Sequence, residues 1–392
     1  MKKNKKNIII AADIFPPDIG GPATYSFKMA QEFHERGYNV KVVFYGYKKN
    51  KTAFKSYRIP KKMPVFWRYL LYFLRLMSLI NKDSVVFAQG VAASGYPAYL
   101  ATRITKVKFI LKIVGDYAWE KVRVEGKTSL SIDDWQMHKV YSKEKFFDRI
   151  ALLLRIQKRV VLAADNIITP SVYLKNLVVG WGAEEDKISV IYNSFKNNGF
   201  RKISKEQAKK ELNIDGCMLL SVARMVPWKN FDFLIDIFPN ILIFNPDFKL
   251  ILVGDGPMYD SLKKKAEEER FLDKIIFTGS LPKEKVALYY QASDIFLLPS
   301  GYEGLPHVVL EALDFELPVI ISDVGGNPEL VENELNGLLV PVGNKYAWVN
   351  AIKKVWKDPV FGEKISKNNV VTKLESFSFD KMFENTEKII FK

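Results

Sequence analysis

Cysteine is nearly absent from this chain of 392 residues, Cys217 being the single one. A lone thiol excludes an intramolecular disulfide and any cysteine-built zinc site, and it fits a reducing cytoplasm. Histidine is scarce too. His34, His138 and His307 are the only three, and their dispersal argues against a histidine-built metal centre. A D-x-D motif is lacking, and Asp133-Asp134 does not have its spacing. No stretch is long and apolar enough to span a bilayer: the run at 65–77 is too short and carries Arg68 and Arg75. The basic start, residues 1–6, leads into an apolar run that ends at Asp13, so it reads as a first strand and not as a signal peptide. Acidic charge is short in one half only. Residues 1–192 hold 33 Lys/Arg against 16 Asp/Glu, whereas the remainder holds 26 against 28. The net charge of +15 is therefore carried by the N-terminal half, whose surface suits an anionic partner.

What is present is globular. Hydrophobic residues make up 48% and charged residues 26%, and the length calls for two domains of roughly 180–200 residues. In the N-terminal half, Lys6 to Ala12 reads as a strand, Asp13 to Ala23 as a glycine-rich turn, Thr24 to Arg36 as a helix and Val40 to Tyr45 as the next strand. That order predicts a parallel, doubly wound α/β unit. Gly20-Gly21 lets backbone approach a ligand with a helix dipole behind it, or serves only as a tight turn. The segment from Lys61 to Lys82 has an aromatic, apolar centre with Arg68 and Arg75 seven apart on one face. It suits a packed helix or one lying on an anionic membrane. Phe109 to Val114 is a strand running into Gly115-Asp116, where Asp116 is placed to cap the next helix. Glu125 to Lys145 reads as a polar loop, and Phe146 to Ala163 as a long helix.

The C-terminal half repeats the strand and turn pattern. Met218 to Arg224 is a strand ending in a cation, with Lys229 five residues on. Two cations at a strand's carboxyl end can neutralise a diphosphate, arginine through its fork and lysine as a point charge. Lys249 to Val253 is a strand turning at Gly254-Asp255-Gly256-Pro257. A buried strand, Asp294 to Leu298, stops at Pro299-Ser300-Gly301, and a helix start follows Gly304-Leu305-Pro306. Glu303 precedes that helix and Glu311 lies just over one turn into it. A helix N-terminus favours an anion, and two acids beside it accept hydroxyl groups, which together describe a nucleotide sugar.

The stretch 299–312 is P-S-x-x-E-G-x-P-x-x-x-x-E-A, and it resembles the E-x7-E motif of retaining glycosyltransferases of the GT-B fold, above all family 4. The resemblance covers nearly the whole chain. It implies two Rossmann-like domains facing a central cleft: 1–192 for the acceptor, 193–375 for the nucleotide sugar, and a final helix in 376–392 crossing back. Arg224 and Lys229 match the family's R-x4-K diphosphate clamp, and Gly254 and Gly256 its loop against the nucleobase. Glu303 is implied to hold the donor sugar, Glu311 the ribose, and Gly304, Leu305 and Pro306 the phosphate at the helix start. Gly20 and Gly21 are implied to face the donor phosphates. Asp116 stands where the family commonly has a histidine that contacts the sugar.

The activity implied is hexosyl transfer with retention, from a nucleotide-diphosphate sugar to a glycan or lipid-linked acceptor in cell-surface polysaccharide or glycolipid synthesis. The same resemblance implies an enzyme without a metal or other cofactor, cytoplasmic or peripheral on the inner face of the membrane. A sugar-nucleotide epimerase shares this fold and remains an alternative. A nucleic-acid binder would explain the basic half, but no recognition-helix, RNP or finger motif accompanies it.

Overall fold

The computed structural model describes residues 6–18, 20–48, 51–141, 149–194, 200–372 and 377–392. Residues 1–5 of the basic start, Ile19 of the glycine turn and residues 142–148 lie outside this set. The chain divides into two compact units, one made of Met1–Val122, Asp134–Tyr192 and Asp380–Lys392, the other of Arg123–Asp133 and Asn193–Phe379. Residues 123–133, expected in the first domain, thus belong with the second unit.

The first unit runs β1 (Asn7–Ala12), α1 (Gly21–Glu35), β2 (Asn39–Gly46), β3 (Lys55–Pro60), α2 (Val65–Leu79), β4 (Ser84–Ala88), α3 (Gly95–Thr105) and β5 (Lys108–Lys112). It continues through α4 (Tyr117–Val124), α5 (Ile132–Tyr141), α6 (Arg149–Ala163), β6 (Asn166–Thr169), α7 (Val172–Gly180) and β7 (Ile188–Val190). Its seven strands pair in parallel in the order β3-β2-β1-β4-β5-β6-β7. Strand β1, Asn-Ile-Ile-Ile-Ala-Ala, is buried at every residue, because a parallel sheet is covered on both faces. Strand β3 was not legible: its polar Lys55, Ser56 and Arg58 suit an edge and not a core. The polar stretch read as a loop is helical from Ile132 to Tyr141.

The second unit runs α8 (Lys205–Leu212), β8 (Cys217–Val222), α9 (Phe231–Leu242), β9 (Phe248–Val253), α10 (Tyr259–Glu268), β10 (Ile275–Gly279), α11 (Lys283–Ala292) and β11 (Ile295–Leu298). Then come α12 (His307–Asp314), β12 (Val319–Ser322), α13 (Asn327–Leu330), β13 (Leu338–Val340), α14 (Lys345–Lys357) and α15 (Pro359–Thr372). Six parallel strands pair in the order β10-β9-β8-β11-β12-β13. The order reverses between β8 and β11, so the loops leaving those two strands part to opposite sides and open a crevice at their carboxyl ends.

Helix α16 (Phe379–Phe391) returns to the first unit. Its Phe383 ring lies 4.5 Å from that of Phe33, and Phe391 stacks on Tyr38 at 4.8 Å. Lys108 Nζ donates to the carbonyls of Ile389 and Ile390 at 3.0 and 3.2 Å, which satisfies orphan acceptors at the helix end.

Candidate active site

In the second unit the loops leaving β8, β9, β11 and β12 are tied to one another at the crevice. After β8 the chain passes Arg224 and makes a tight turn over Pro227–Lys229. Asn230 Nδ2 donates to the Pro299 carbonyl at 3.0 Å, and Gly301 N to the Trp228 carbonyl at 2.7 Å. These bonds lock the cationic loop to the acidic one. Lys229 then forms an ion pair with Glu303 Oε1, which also accepts from Ser300 Oγ at 2.7 Å. Glu303 is only 6% exposed, a depth at which a carboxylate is retained only when paired. Its Oε2 takes no hydrogen bond from the described residues. The Lys229 ammonium has three donors, so two remain for another acceptor.

The Glu303 backbone is held from the side of β12. Gly326 N donates to the Glu303 carbonyl at 2.9 Å, and a Cβ on Gly325 (φ 59°) would lie 2.2 Å from that same oxygen. Ser322 Oγ donates to the Ser300 carbonyl, and Asn327 Nδ2 donates to the Ser322 carbonyl at 2.7 Å. Behind the site, Tyr290 OH donates to Glu311 Oε2 at 3.0 Å from α11. Burial, and then the Glu311 charge, push the Tyr290 hydroxyl well above its ordinary pKa, so it stays a donor.

Arg224 is exposed, and its guanidinium makes no hydrogen bond or ion pair with the described residues. The β9 loop brackets it: a Cβ on Gly254 would fall 1.9 Å from the Ala223 carbonyl, and one on Gly256 2.4 Å from that of Met225. Only backbone without a side chain fits so close to the strand carrying Arg224. The structure therefore brings Lys229 and Glu303 into contact. It sets Gly254 and Gly256 beside Arg224, and places Gly304, Leu305 and Pro306 between Glu303 and the start of α12, with Pro306 as its N-cap.

The remaining expected residues lie in the first unit. Gly20 is the N-cap of α1 and Gly21 its first residue. Asp116 is fully buried; Oδ1 accepts from Ala118 N and Trp119 N at 3.0 and 3.1 Å, and Oδ2 from Gln136 Nε2 at 2.7 Å. The two backbone bonds make Asp116 the cap of α4.

Sequence reasoning missed a second polar group at the carboxyl edge of the first sheet. Asp13 follows β1, and its Oδ1 accepts from Ser94 N at 2.7 Å. Burial raises the Asp13 pKa, with Ser94 hydrogen bonds and the Lys61 charge opposing in part. Gln89 Nε2 is buried there without a partner among the described residues. Asp13 and Gln89 thus place two buried polar side chains at the edge where doubly wound sheets bind ligands. Asp13 could have been singled out as the first polar residue after the apolar run Ile8–Ala12. Ser300 lay within the acidic motif, and Gly325-Gly326 was visible only as a turn.

Residues 202–370 match the family described as Glycosyl transferases group 1, and residues 19–195 match Glycosyltransferase Family 4. An uncharacterized glycosyltransferase of Methanocaldococcus jannaschii is 30% identical over 231 residues, 57% of this chain and 59% of that protein. The GPI3 subunit of phosphatidylinositol N-acetylglucosaminyltransferase from Saccharomyces cerevisiae is 22% identical over 84% of this chain and 70% of its own length. The match thus spans under two thirds of the first of these relatives. Among solved structures, Anabaena HepE in complex with UDP and glucose superposes with a TM-score of 0.77 at 17% identity, covering 98% of this chain and 99% of that one. The fold is accordingly GT-B, with two doubly wound α/β units.

Proposed function

We propose, from the premise that this chain belongs to the group 1 glycosyl transferases, that it moves a hexosyl group from a nucleotide-diphosphate sugar to a glycan or lipid-linked acceptor. The observation that carries the reading is the buried contact of Lys229 with Glu303 at the topological switch point, which joins the cationic and the acidic motifs in one site. Arg224, exposed beside the β9 loop, and Lys229, with donors to spare, neutralise the charge that develops on the departing diphosphate. The free oxygen of Glu303 accepts a donor-sugar hydroxyl. Glu311, oriented by Tyr290, takes the ribose hydroxyls, and the start of α12 supports the phosphate. The cations do the work a metal would otherwise do.

A UDP-sugar is the first donor to try, since the structurally similar HepE binds UDP. The yeast relative's name, with its phosphatidylinositol acceptor, supports a lipid-linked acceptor. The basic excess of the first unit suits an acceptor held in an anionic membrane surface. Transfer proceeds with retention, by front-face attack through an oxocarbenium-like state, with the leaving phosphate taking the acceptor proton.

Thermal shift with UDP-, GDP-, ADP- and dTDP-sugars selects the donor, and NMR of the product then reads its anomeric configuration. An inverted centre would refute the mechanism. Lys229→Ala should lower kcat by about 10²–10³. Activity of that variant near wild type would contradict the diphosphate clamp.

A further inference from the structure

Helices α2, α3 and α6 form a contiguous row on the first unit, α2 packing on α3 and α3 on α6. Over their combined length they contain no aspartate or glutamate, while carrying Arg68, Arg75, Arg103, Arg149, Arg155, Lys158 and Arg159. A helix on a soluble surface normally turns its charges outward and its apolar residues in. Helix α2 is apolar on both sides instead. Its inward face is Tyr72, Leu76 and Leu79, yet the opposite side presents Phe66 (71% exposed), Trp67 (55%) and Leu74 (50%). Arg68 and Arg75 bend back instead, with their guanidinium groups 5.4 and 5.0 Å from the Tyr45 and Tyr57 ring centres. Ile104 on α3 (61%) and Leu152 on α6 (57%) extend the apolar exposure along the row.

At the carboxyl end of the row lies a depression of about 820 Å³ whose lining includes Lys82, Arg103, Lys106 and Lys392. Asp83 and Asp165 also line it, so the balance remains positive. No helix of the described residues is long and apolar enough to cross a bilayer. A surface that is apolar and aromatic at its centre, with helices free of acids and a rim of net positive charge, matches the boundary between headgroups and acyl chains in an anionic leaflet.

We infer that the α2–α3–α6 face docks on an anionic phospholipid bilayer, with Phe66, Trp67, Leu74 and Ile104 entering the acyl boundary and a lipid phosphate seated among Lys82, Arg103 and Lys106. This deepens the lipid-acceptor reading and rests on it for its purpose, but a binding assay tests it without any glycosyl transfer.

The experiment is co-sedimentation of the full chain with phosphatidylcholine vesicles, with and without roughly one third phosphatidylglycerol. Binding should require the anionic lipid and weaken with salt. The double variant Phe66→Ala, Trp67→Ala should lose about tenfold in affinity. The triple variant Lys82→Glu, Arg103→Glu, Lys106→Glu should lose about a hundredfold or more. All substituted side chains lie on the surface, and circular dichroism checks that both variants are folded. Brominated lipids should quench the wild-type tryptophan emission more than that of Trp67→Phe. Lys229→Ala should bind vesicles like wild type, so a failed transferase assignment would leave this result standing. The inference is overturned by vesicle binding that both variants retain, by an absence of binding, by tighter binding to duplex DNA than to vesicles, or by a concentration-dependent dimer that the aromatic variant abolishes.

Discussion

Two buried carboxylates show how neighbours decide what an acidic side chain does. Asp116 has both oxygens committed to Ala118, Trp119 and Gln136, so it organises α4. Asp116→Ala should cost about 0.5–2 kcal/mol from the lost cap, read by denaturant unfolding, while donor binding per folded molecule is kept. A loss of donor affinity with unchanged stability would assign Asp116 to a sugar contact. Asp13 is different because burial raises its pKa above the ordinary carboxylate value. A raised folded pKa means that its favourable contribution is complete below the unfolded pKa and is lost as pH rises through the folded one. Asp13→Asn should therefore raise Tm at pH 8, and that gain should shrink toward pH 4. A gain that is constant across this range would show that Asp13 is not held in a costly environment.

The site in the second unit depends on where loops leave strands. Lys229 and Glu303 are 74 residues apart, and they meet because β8 and β11 are adjacent although β9 and β10 intervene in sequence. The β12 loop completes the support. At Gly325 a side chain would need a left-handed backbone and would strike the Glu303 carbonyl. Gly325→Ala should thus displace the Glu303 loop and lower both Tm and kcat/KM, by about 1–3 kcal/mol of stability for the strained backbone alone. Wild-type values in that variant would show that the loop is not held from this side. The cationic loop is fixed in the same way, by Asn230 and Gly301 bonding across to the other segment.

For the chain as a whole, the last helix matters most to how the ends are joined. Helix α16 belongs to the first unit, although the second unit lies between it and the rest of that unit in sequence. Phe383 is fully buried against Phe33, with the Arg36 guanidinium 4.3 Å from its ring centre. Phe383→Ala should destabilise the first unit by about 3–5 kcal/mol and separate two calorimetric transitions. A single unshifted transition would show that α16 does not hold the first unit. The charge asymmetry is a property of the same scale: the excess of +17 over residues 1–192 includes a segment from 36 to 115 with 16 Lys/Arg and one acid, Asp83.

Local pattern was enough to determine the class of fold, because a fully buried parallel strand must be apolar along its length and a covering helix must repeat near 3.6 residues. It also singled out Arg224, Lys229, Glu303 and Glu311 as candidates, since their spacing within short motifs is itself sequence information. Strand β3 and helix α5 escaped it, being polar enough to look like connections. Tertiary structure alone decided that Lys229 closes on Glu303, that Asp116 turns inward as a cap, that Gly325 braces the acidic loop, and that three acid-free helices form one face. Those outcomes depend on which strands become neighbours and which helices share a layer, and no local periodicity carries that information.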